Sequence, residues 1–254
     1  TRILLGLGGS ATNDGGCGAA AALGVEFLDA EGKAFVPVGG TLRRIAHIRT
    51  DGLLPALRQA EVIAMCDIDN PLCGESGAAA VFAPQKGADA ATVRMLDEGL
   101  AHLAAVIEKD LGRSLLTLPG GGAAGGFGAG SVAFLGARLQ MGIEAVLDLT
   151  DFDRLAADAY LVITGEGRLD SQSLRGKVVV GVARRARALG VPVVALVGSS
   201  ETDIAAAYDA GVTAVFPINP APTTLSEALA HARTHLAFMA ENVLRFARCL
   251  EENR

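Results

Sequence analysis

The chain has 254 residues, of which half are hydrophobic, 20% are charged and 32 are glycine, and its formal charge is −6. This composition is typical of a compact α/β protein of one or two domains. The acidic balance and the lack of a basic cluster argue against a nucleic-acid partner, and no apolar run has the length of a membrane span. The four cysteines form no CxxC pair, so we expect reduced thiols and a cytoplasmic location.

The first segment has the pattern of a strand, a glycine-rich loop and a helix, which suits anion binding. An apolar run at 3–7 leads into Gly8-Gly9-Ser10-Ala11-Thr12-Asn13-Asp14, and an alanine-rich helix is expected at 19–23. Glycines let the backbone approach a ligand, and a helix N-terminus presents undonated N–H groups. We predict that the amides of residues 8–13 bind an anion while Asp14 faces a metal or a hydroxyl. A tight turn capped by Asn13 or Asp14 is the structural alternative.

The next segment predicts a hairpin and a strand. Residues 25–28 and 33–35 flank a turn-forming Asp29-Ala30-Glu31-Gly32 and are expected to pair as a β-hairpin. The apolar run 62–66 is expected to form a strand that ends at Asp67-Ile68-Asp69-Asn70-Pro71. Carboxylates are therefore expected at the carboxyl end of that strand.

A long helix and a second glycine-rich stretch follow. Apolar residues in 91–111 recur on one helical face, and Gly112 is expected to end this helix. Residues 119–130 contain only Ala and Phe beside glycine after an initial Pro119, whereas a flexible linker is usually polar. We interpret this stretch as a loop and helix start packed closely against another segment.

From residue 160 onward, strands alternate with helices. Strands are expected at 161–164, 193–197 and 214–216, and helices at 177–189, 202–210 and 224–250. Thr224 and Glu227 form a capping box at the start of the last helix. The alternation predicts a doubly wound parallel sheet with its ligand beyond the carboxyl ends of the strands, where the polar loops 165–170 and 198–202 are expected.

Carboxylates and glycine-flanked lysines are the candidate catalytic residues. Asp67 and Asp170 are candidates for metal ligand and general base, in an order that the residues leave open, because Mg²⁺ takes oxygen ligands and a carboxylate accepts a hydroxyl proton. Lys86 is the third candidate catalytic residue, because a cation neutralises phosphate charge. The residues expected to bind substrate or phosphate are Gly8, Gly9, Ser10, Thr12, Asn13, Asp14, Asn70, Gly121, Gly122, Gly125, Glu166, Arg168 and Lys177.

Two other site classes fit the sequence less well. Gly6-x-Gly8-x-x-Ala11 matches a dinucleotide fingerprint by its letters, but a hairpin follows where a βαβ unit needs its second strand. A Rossmann-type NAD-dependent oxidoreductase is kept as an alternative on this basis. His231 and His235 are four residues apart but lack the Glu of a zinc-binding HExxH motif, so they are interpreted as surface residues.

Five motifs, in this order, resemble those of the type I bacterial glycerate kinases. They are Gly8-Gly9-Ser10-Ala11-Thr12-Asn13-Asp14-Gly15-Gly16, Cys66-Asp67-Ile68-Asp69-Asn70-Pro71-Leu72, Phe82-Ala83-Pro84-Gln85-Lys86-Gly87, Gly120-Gly121-Gly122-Ala123-Ala124-Gly125-Gly126 and Thr164-Gly165-Glu166-Gly167-Arg168-Leu169-Asp170. The resemblance covers essentially the whole chain. It implies ATP-dependent phosphorylation of D-glycerate to 2-phosphoglycerate with Mg²⁺, and therefore D-glycerate and ATP as small-molecule partners.

The resemblance also implies two α/β domains. Residues 1–157 would form a middle α/β domain that resembles restriction endonucleases, and residues 158–254 the C-terminal part of a flavodoxin-like doubly wound parallel sheet. Members of the family begin with a further segment that carries a Pro-Asp-Ser-Phe-Lys loop and an Asp-Gly-Gly-Glu-Gly loop, and that segment would supply two more strands. Without it we expect strand 161–164 to have an open edge, and this chain to self-associate and lack turnover. An inactive glycerate- or phosphate-binding remnant is the alternative.

Overall fold

The computed structural model describes residues 1–170 and 178–252 and shows a mixed α/β fold with parallel sheets, as predicted. Its contacts divide the chain into two units, Thr1–Gly142 and Ile143–Arg254. The boundary expected from the sequence falls later, after residue 157, and the domain assignment stays a prediction. None of the helices in the described ranges combines the length and hydropathy needed to cross a bilayer.

The first unit contains six strands and five α-helices among the described residues. The strands are β1 (Arg2–Gly6), β2 (Glu26–Leu28), β3 (Ala34–Phe35), β4 (His47–Arg49), β5 (Glu61–Met65) and β6 (Arg138–Gln140). The helices are α1 (Cys17–Ala22), α2 (Pro55–Arg58), α3 (Ala78–Phe82), α4 (Ala90–Leu111) and α5 (Ala123–Leu135), with 3₁₀ turns at Gly39–Arg44 and Pro84–Lys86.

A parallel sheet in the order β1-β5-β6 positions the loops of the first unit. Because the carboxyl ends of parallel strands share one edge of a sheet, the segments that follow Gly6, Met65 and Gln140 come together there. A second sheet pairs β2 with β3 and β4 in antiparallel fashion, which confirms the predicted hairpin and adds a strand that the sequence analysis did not identify.

The core of the first unit forms around the apolar face of α4. Leu100, Leu103 and Ile107 of this helix are fully buried, as the periodicity predicts. Gly112 follows in the left-handed region at φ 67° and its N–H donates to the carbonyl of Glu108, which confirms the predicted helix end.

The second unit is built on a parallel sheet with helices on both faces. Its elements are α6 (Gly142–Leu149), α7 (Phe152–Ala156), β7 (Val162–Leu169), α8 (Val178–Ala188), β8 (Val193–Ser200), α9 (Ala205–Asp209), β9 (Ala214–Pro217) and α10 (Leu225–Glu252). The strand order is β7-β8-β9, all parallel. Val193, Ala195 and Val197 pack toward α8 and α9, whereas Val194 and Leu196 pack toward α10. This arrangement confirms the predicted doubly wound sheet.

Two strands of the second unit are longer than predicted. β7 continues to Leu169 and β8 to Ser200, because pairing persists between Arg168 and Ser199. Most of each predicted polar loop is therefore strand, and the polar side chains are held by the sheet. The capping box of α10 is confirmed, since the N–H of Thr224 donates to Glu227 Oε2 at 3.1 Å and the N–H of Glu227 donates to Thr224 Oγ1 at 3.3 Å.

Candidate functional site

The carboxyl ends of β1 and β5 open into a cleft of about 290 Å³, here called the first-unit cleft. It is lined by Leu7, Gly8, Gly9, Ser10, Met65, Cys66, Asp67, Ile68, Phe82, Gln85, Lys86, Ala123, Ala124 and Gly125. Six predicted site residues from four separate sequence motifs meet there, namely Gly8, Gly9, Ser10, Asp67, Lys86 and Gly125. The cleft is therefore the candidate functional site of the first unit.

The loop after β1 presents backbone donors to this cleft. The N–H of Leu7 still donates to the Met65 carbonyl at 3.3 Å, and donation resumes at Gly15, whose N–H bonds to the Gly125 carbonyl at 3.0 Å. Between them, none of the N–H groups of residues 8–13 donates a hydrogen bond within the described parts of the chain. Gly8, Gly9 and Ser10 line the cleft, and their N–H groups are thus available to an anion.

Lys86 joins this loop to the Pro84–Lys86 turn. Its ammonium donates to Ser10 Oγ at 2.9 Å and to the carbonyl oxygen of Thr12 at 2.7 Å. A lysine ammonium has three donors, so one remains for a ligand. Burial lowers the pKa of Lys86, and the carboxylate of Asp14 acts in the opposite direction. The cleft therefore contains a half-buried cation beside N–H groups that donate to no other described residue.

Asp67 supplies the negative charge of the cleft. It follows β5 after one residue, and its Oδ1 accepts a hydrogen bond of 2.7 Å from the N–H of Gly142, which follows the adjacent strand β6. Oδ2 has no hydrogen-bond partner within residues 1–170 and 178–252. One carboxylate oxygen is thus fixed by the backbone while the other can accept a proton or bind a cation.

A backbone feature that the sequence analysis missed lies at the start of α5. Ala124, Gly125 and Gly126 adopt left-handed conformations, with φ values of 52°, 67° and 91°. A side chain at Gly125 would overlap the carbonyl oxygen of Thr12, so glycine allows this turn to touch the loop after β1. Ala124 lines the cleft, and for a residue with a Cβ this conformation costs about 1–2 kcal/mol. The only sequence signal was an alanine inside a glycine run.

Three predicted site residues of the first loop, Thr12, Asn13 and Asp14, do not line the cleft. Asp14 accepts from the N–H of Gly16 at 3.0 Å and from the N–H of Gly18 at 3.1 Å, so its carboxylate holds the turn into α1, whose N-cap position is Gly16. Asn13 is 8% exposed, and neither polar atom of its side chain has a partner in the described part of the chain.

Three other predicted residues hold loops together. The side chain of Asn70 donates to the Ser76 carbonyl at 2.8 Å, and the Asn70 carbonyl accepts from the N–H of Gly122 at 3.0 Å. The N–H of Gly121 donates to the Leu118 carbonyl at 2.9 Å. These backbone groups are engaged within the protein, in contrast to those of residues 8–13.

The remaining predicted residues belong to the second unit. Arg168 donates to Glu201 Oε1 at 3.0 Å and its Nε lies 3.7 Å from Asp170 Oδ2. The Arg168 side chain is mostly exposed, so these ion pairs add little stability. Glu166 lines a separate cleft of about 710 Å³ at the ends of β7 and β8, here called the second-unit cleft. Lys177 lies outside the described residues.

Metal-ligating side chains do not cluster in the residues that the structure describes. No group of three His, Cys, Asp or Glu side chains comes together there. Burial raises the pKa of the cleft-lining Cys66 thiol, which donates to the Ile68 carbonyl at 3.2 Å. A thiol of raised pKa is a poor metal ligand, so among the described residues Asp67 is the one candidate ligand in the lining of the first-unit cleft.

A glycine-rich loop, a lysine and a carboxylate at the strand ends of an α/β fold are the kinds of group that phosphoryl transfer uses. The family model described as the Glycerate kinase family matches residues 1–248 of this sequence. The chain belongs to the glycerate kinase family.

Relatives and a solved structure agree with this assignment. The chain is 47% identical over 242 residues to a glycerate kinase of Halalkalibacterium halodurans and 43% identical over 243 residues to the glycerate 2-kinase of Escherichia coli. These matches cover 95% and 96% of the chain, which spans 64% of the length of each relative. A crystal structure described as glycerate kinase 2 from Salmonella typhimurium LT2 matches with a TM-score of 0.83 and 43% identity, over 99% of this chain and 65% of that one.

Proposed function

We propose that this protein phosphorylates D-glycerate to 2-phosphoglycerate with ATP, and that the first-unit cleft binds the reacting groups. The observation that carries the proposal is the Lys86 ammonium, held on Ser10 and Thr12 in a cleft where, among the described residues, the N–H groups of the loop and Oδ2 of Asp67 have no partner. Family membership supports a kinase with a nucleotide co-substrate. The 2-position of the phosphorylated hydroxyl is part of the proposal.

The residues divide between binding and proton transfer. Lys86 and the N–H groups of residues 8–10 bind an anion, either the carboxylate of glycerate or a transferred phosphate, because both match a cation surrounded by donors. Asp67 accepts the proton of the attacking hydroxyl through Oδ2, since Oδ1 is held by Gly142. A fixed carboxylate of this kind loses little orientation freedom when the substrate binds.

Mg²⁺ fits this donor set in a limited way. It binds proteins through one or two carboxylates and takes its other ligands from water and phosphates. Asp67 suits that pattern as a single carboxylate, and Asp170, which already pairs with Arg168, is the second candidate. When bound, Mg²⁺ would neutralise charge on the phosphates.

The oxidoreductase alternative has no support in the fold. The loop after β1 leads through α1 into the β2–β3 hairpin, and β1 instead pairs with β5. A dinucleotide site of the Rossmann type needs the next strand of a βαβ unit at that point. The cytoplasmic location and the self-association expected from the sequence stay predictions.

The test measures two quantities on the same preparation of the chain. Glycerate-dependent ADP formation reports turnover, and calorimetric titration with D-glycerate reports binding in the first-unit cleft. Binding is expected with the chain alone, and turnover is expected once a separately made N-terminal segment of a longer relative is added, with lactate as a control acid that lacks the terminal hydroxyl. Binding without turnover in the presence of that segment would support the glycerate-binding remnant, and the absence of both would contradict the proposal.

A further inference from the structure

We propose that the first-unit cleft also hydrolyses small carboxylic esters, with Ser10 as the nucleophile and Lys86 as its general base. The two side chains are in contact, since Lys86 Nζ lies 2.9 Å from Ser10 Oγ. A serine hydroxyl within hydrogen-bond reach of a base that a third group orients is the arrangement of nucleophilic catalysis, and lysine is the base in Ser-Lys variants of the catalytic triad. This activity needs no nucleotide, so it goes beyond the proposed function.

The backbone carbonyl of Thr12 orients the lysine. In its charged form, Nζ of Lys86 donates to this carbonyl oxygen at 2.7 Å and to Ser10 Oγ. A neutral lysine amine has two N–H donors and one lone pair, so it can keep the bond to Thr12 while its lone pair accepts the proton of the Ser10 hydroxyl. The observed distance between nitrogen and oxygen suits a hydrogen bond in either direction. Loss of one proton therefore converts the observed contact into that of a base with its nucleophile.

The surroundings of Lys86 make this proton loss easier than it is for a solvated lysine. Burial is the largest influence on the pKa of Lys86 and lowers it, whereas the carboxylate of Asp14 acts in the opposite direction. Among the described residues, the other titratable groups that line the cleft are Cys66 and Asp67. Because the base must be neutral, ester hydrolysis should become faster as the pH rises through the lowered pKa of Lys86, where glycerate binding declines.

The loop that carries Ser10 supplies donors for an oxyanion. Gly8, Gly9 and Ser10 line the cleft, and their N–H groups donate no hydrogen bond within the described parts of the chain. Gly9 lies in the left-handed region, at φ 66°, directly before the nucleophile. Left-handed residues in turns occur where successive N–H groups form a concave anion site. Such donors stabilise the negative oxygen of a tetrahedral intermediate more than the carbonyl from which it forms, which is the condition for catalysis.

The reaction balances with water as the second reactant. The Ser10 oxygen attacks the carbonyl carbon of the ester while its proton moves to the neutral amine of Lys86, and the carbonyl oxygen becomes an anion. When the carbonyl forms again, the C–O bond to the alcohol breaks and the alcohol leaves with the proton from Lys86. Water then attacks the acyl group on Ser10 in the same way, and Lys86 passes the proton of the water to the Ser10 oxygen. The products are a carboxylic acid and an alcohol, and nothing is oxidised or reduced.

The size and the lining of the cleft select a short acyl group. Its volume of about 290 Å³ is at the small end of the range for small-molecule sites. Leu7, Met65 and Phe82 line it beside the polar groups, so an acetyl-sized apolar group has side chains against which it can be buried. We therefore expect esters of acetic acid to react faster than esters of long-chain acids.

The experiment measures the hydrolysis of para-nitrophenyl acetate by the 254-residue chain, with peptide mass analysis of quenched samples to locate the acetyl group. We expect an acetyl group on Ser10 during turnover. Ser10→Ala should lose this adduct and hydrolyse the ester more slowly, on the order of 10²-fold or more. Ser114→Ala, at an exposed serine outside the cleft lining, is the matched control and should hydrolyse the ester like the parent.

Lys86→Arg separates the base from the positive charge. Arginine stays protonated, so this variant should hydrolyse the ester on the order of 10²-fold more slowly. Its glycerate binding should persist to a higher pH than in the parent, which would show that the cleft is intact. In the parent, the rate of ester hydrolysis should rise with pH over the range in which the affinity for glycerate falls.

Three results would overturn the inference: equal rates of hydrolysis in the parent and Ser10→Ala, acetyl groups on lysines without one on Ser10, and a rate that Lys86→Arg leaves unchanged. The failure of the proposed function looks different. Hydrolysis through Ser10 in a chain that neither binds nor phosphorylates glycerate would support this inference and contradict the proposed function. Glycerate phosphorylation without acetylation of Ser10 would contradict this inference alone.

Discussion

At the scale of single residues, Lys86 and Asp67 have complementary roles in the first-unit cleft. Lys86 links two loops that are more than seventy residues apart and places a positive charge among backbone donors. Asp67 is anchored by one oxygen to the neighbouring strand end. Because both anchors are internal, the charges are positioned before any ligand arrives, which is what electrostatic stabilisation of a reaction requires.

Asp67→Asn tests the general base. The amide keeps the size and the acceptor for the Gly142 N–H, so the fold should be retained while the proton acceptor is lost. In a full-length version of the protein, we expect kcat for glycerate phosphorylation to fall on the order of 10²-fold or more, with the half-saturating Mg²⁺ concentration unchanged. Asp69→Asn, two residues away and absent from the cleft lining, is the control and should keep normal turnover. A shifted Mg²⁺ requirement would assign Asp67 to the metal instead.

The lowered pKa of Lys86 predicts a pH dependence of glycerate binding. Burial disfavours the charged form, so the ammonium loses its proton at a lower pH than an ordinary lysine. Anion affinity should therefore decline as the pH rises through this lowered pKa. The Lys86→Arg variant keeps its positive charge over the whole pH range of the titration, so its loss of glycerate affinity should move to higher pH. The measurement is the Kd of glycerate against pH, and identical profiles for the two proteins would exclude Lys86 as the titrating group.

Ala124→Gly tests the left-handed turn. Glycine removes a conformational cost of about 1–2 kcal/mol but loses about 0.5–1 kcal/mol through its larger entropy in the unfolded chain. The variant should be as stable as the parent or more stable, by up to about 1 kcal/mol in urea unfolding. Ala129→Gly, in the regular and buried part of α5, should instead cost about 1 kcal/mol or more. Similar losses at both positions would show that Ala124 is unstrained.

The types of residue in the site could be predicted from the sequence, but their contacts could not. Asp67 and Lys86 stood out because each sits at the end of an apolar run or beside glycine. The bond from Lys86 to Ser10 depends on how α3 returns the chain to the first loop, which no local pattern encodes. Asp14 shows the opposite case, since its contacts with Gly16 and Gly18 are local, and the turn that they form was kept only as the alternative to a binding role.

At the scale of elements, α5 supports the first loop through its glycine face. A Cβ at Gly130 would overlap the carbonyl oxygen of Gly15, and one at Gly128 would overlap that of Gly120. The helix therefore touches backbone directly, which confirms that residues 119–130 pack closely rather than serve as a linker. Such packing fixes the loop after β1 without any side chain between them.

Gly130→Ala tests this packing. The added methyl group cannot be accommodated without moving backbone, and overpacking of this kind costs about 1–3 kcal/mol. We expect lower stability in urea and weaker glycerate binding, because the loop that carries the N–H donors shifts. Gly40→Ala, where a Cβ meets no neighbour, should stay within about 0.5 kcal/mol of the parent. Unchanged glycerate affinity in a destabilised Gly130→Ala would separate the helix contact from the site.

Long or strongly patterned elements were predictable and short ones were not. The periodicity of α4 and the capping box of α10 carry their own signals, so both helices were found with close to their observed bounds. β4 and β6 have three residues each, too few for alternation to be visible. β6 nevertheless matters, because it completes the sheet whose edge holds Asp67.

At the scale of the whole molecule, the two units have separate cores and separate clefts. The core around α4 involves residues of the first unit, and the cores on the two faces of β8 involve residues of the second. The relatives are longer than this chain. Which of the two units binds a given ligand therefore has to be measured on this chain itself. Ligand-dependent stability provides that measurement.

The last prediction concerns hydrogen exchange in the two units. A ligand that binds the native state stabilises it by about 2.7 kcal/mol at a hundred times its Kd, which slows exchange of the deepest amides about a hundredfold. Glycerate should slow the amides of α4, such as Leu100 and Leu103, and leave those of β8 nearly unchanged. Equal protection of both units by glycerate would show that they unfold together, and would contradict separate opening of the two units.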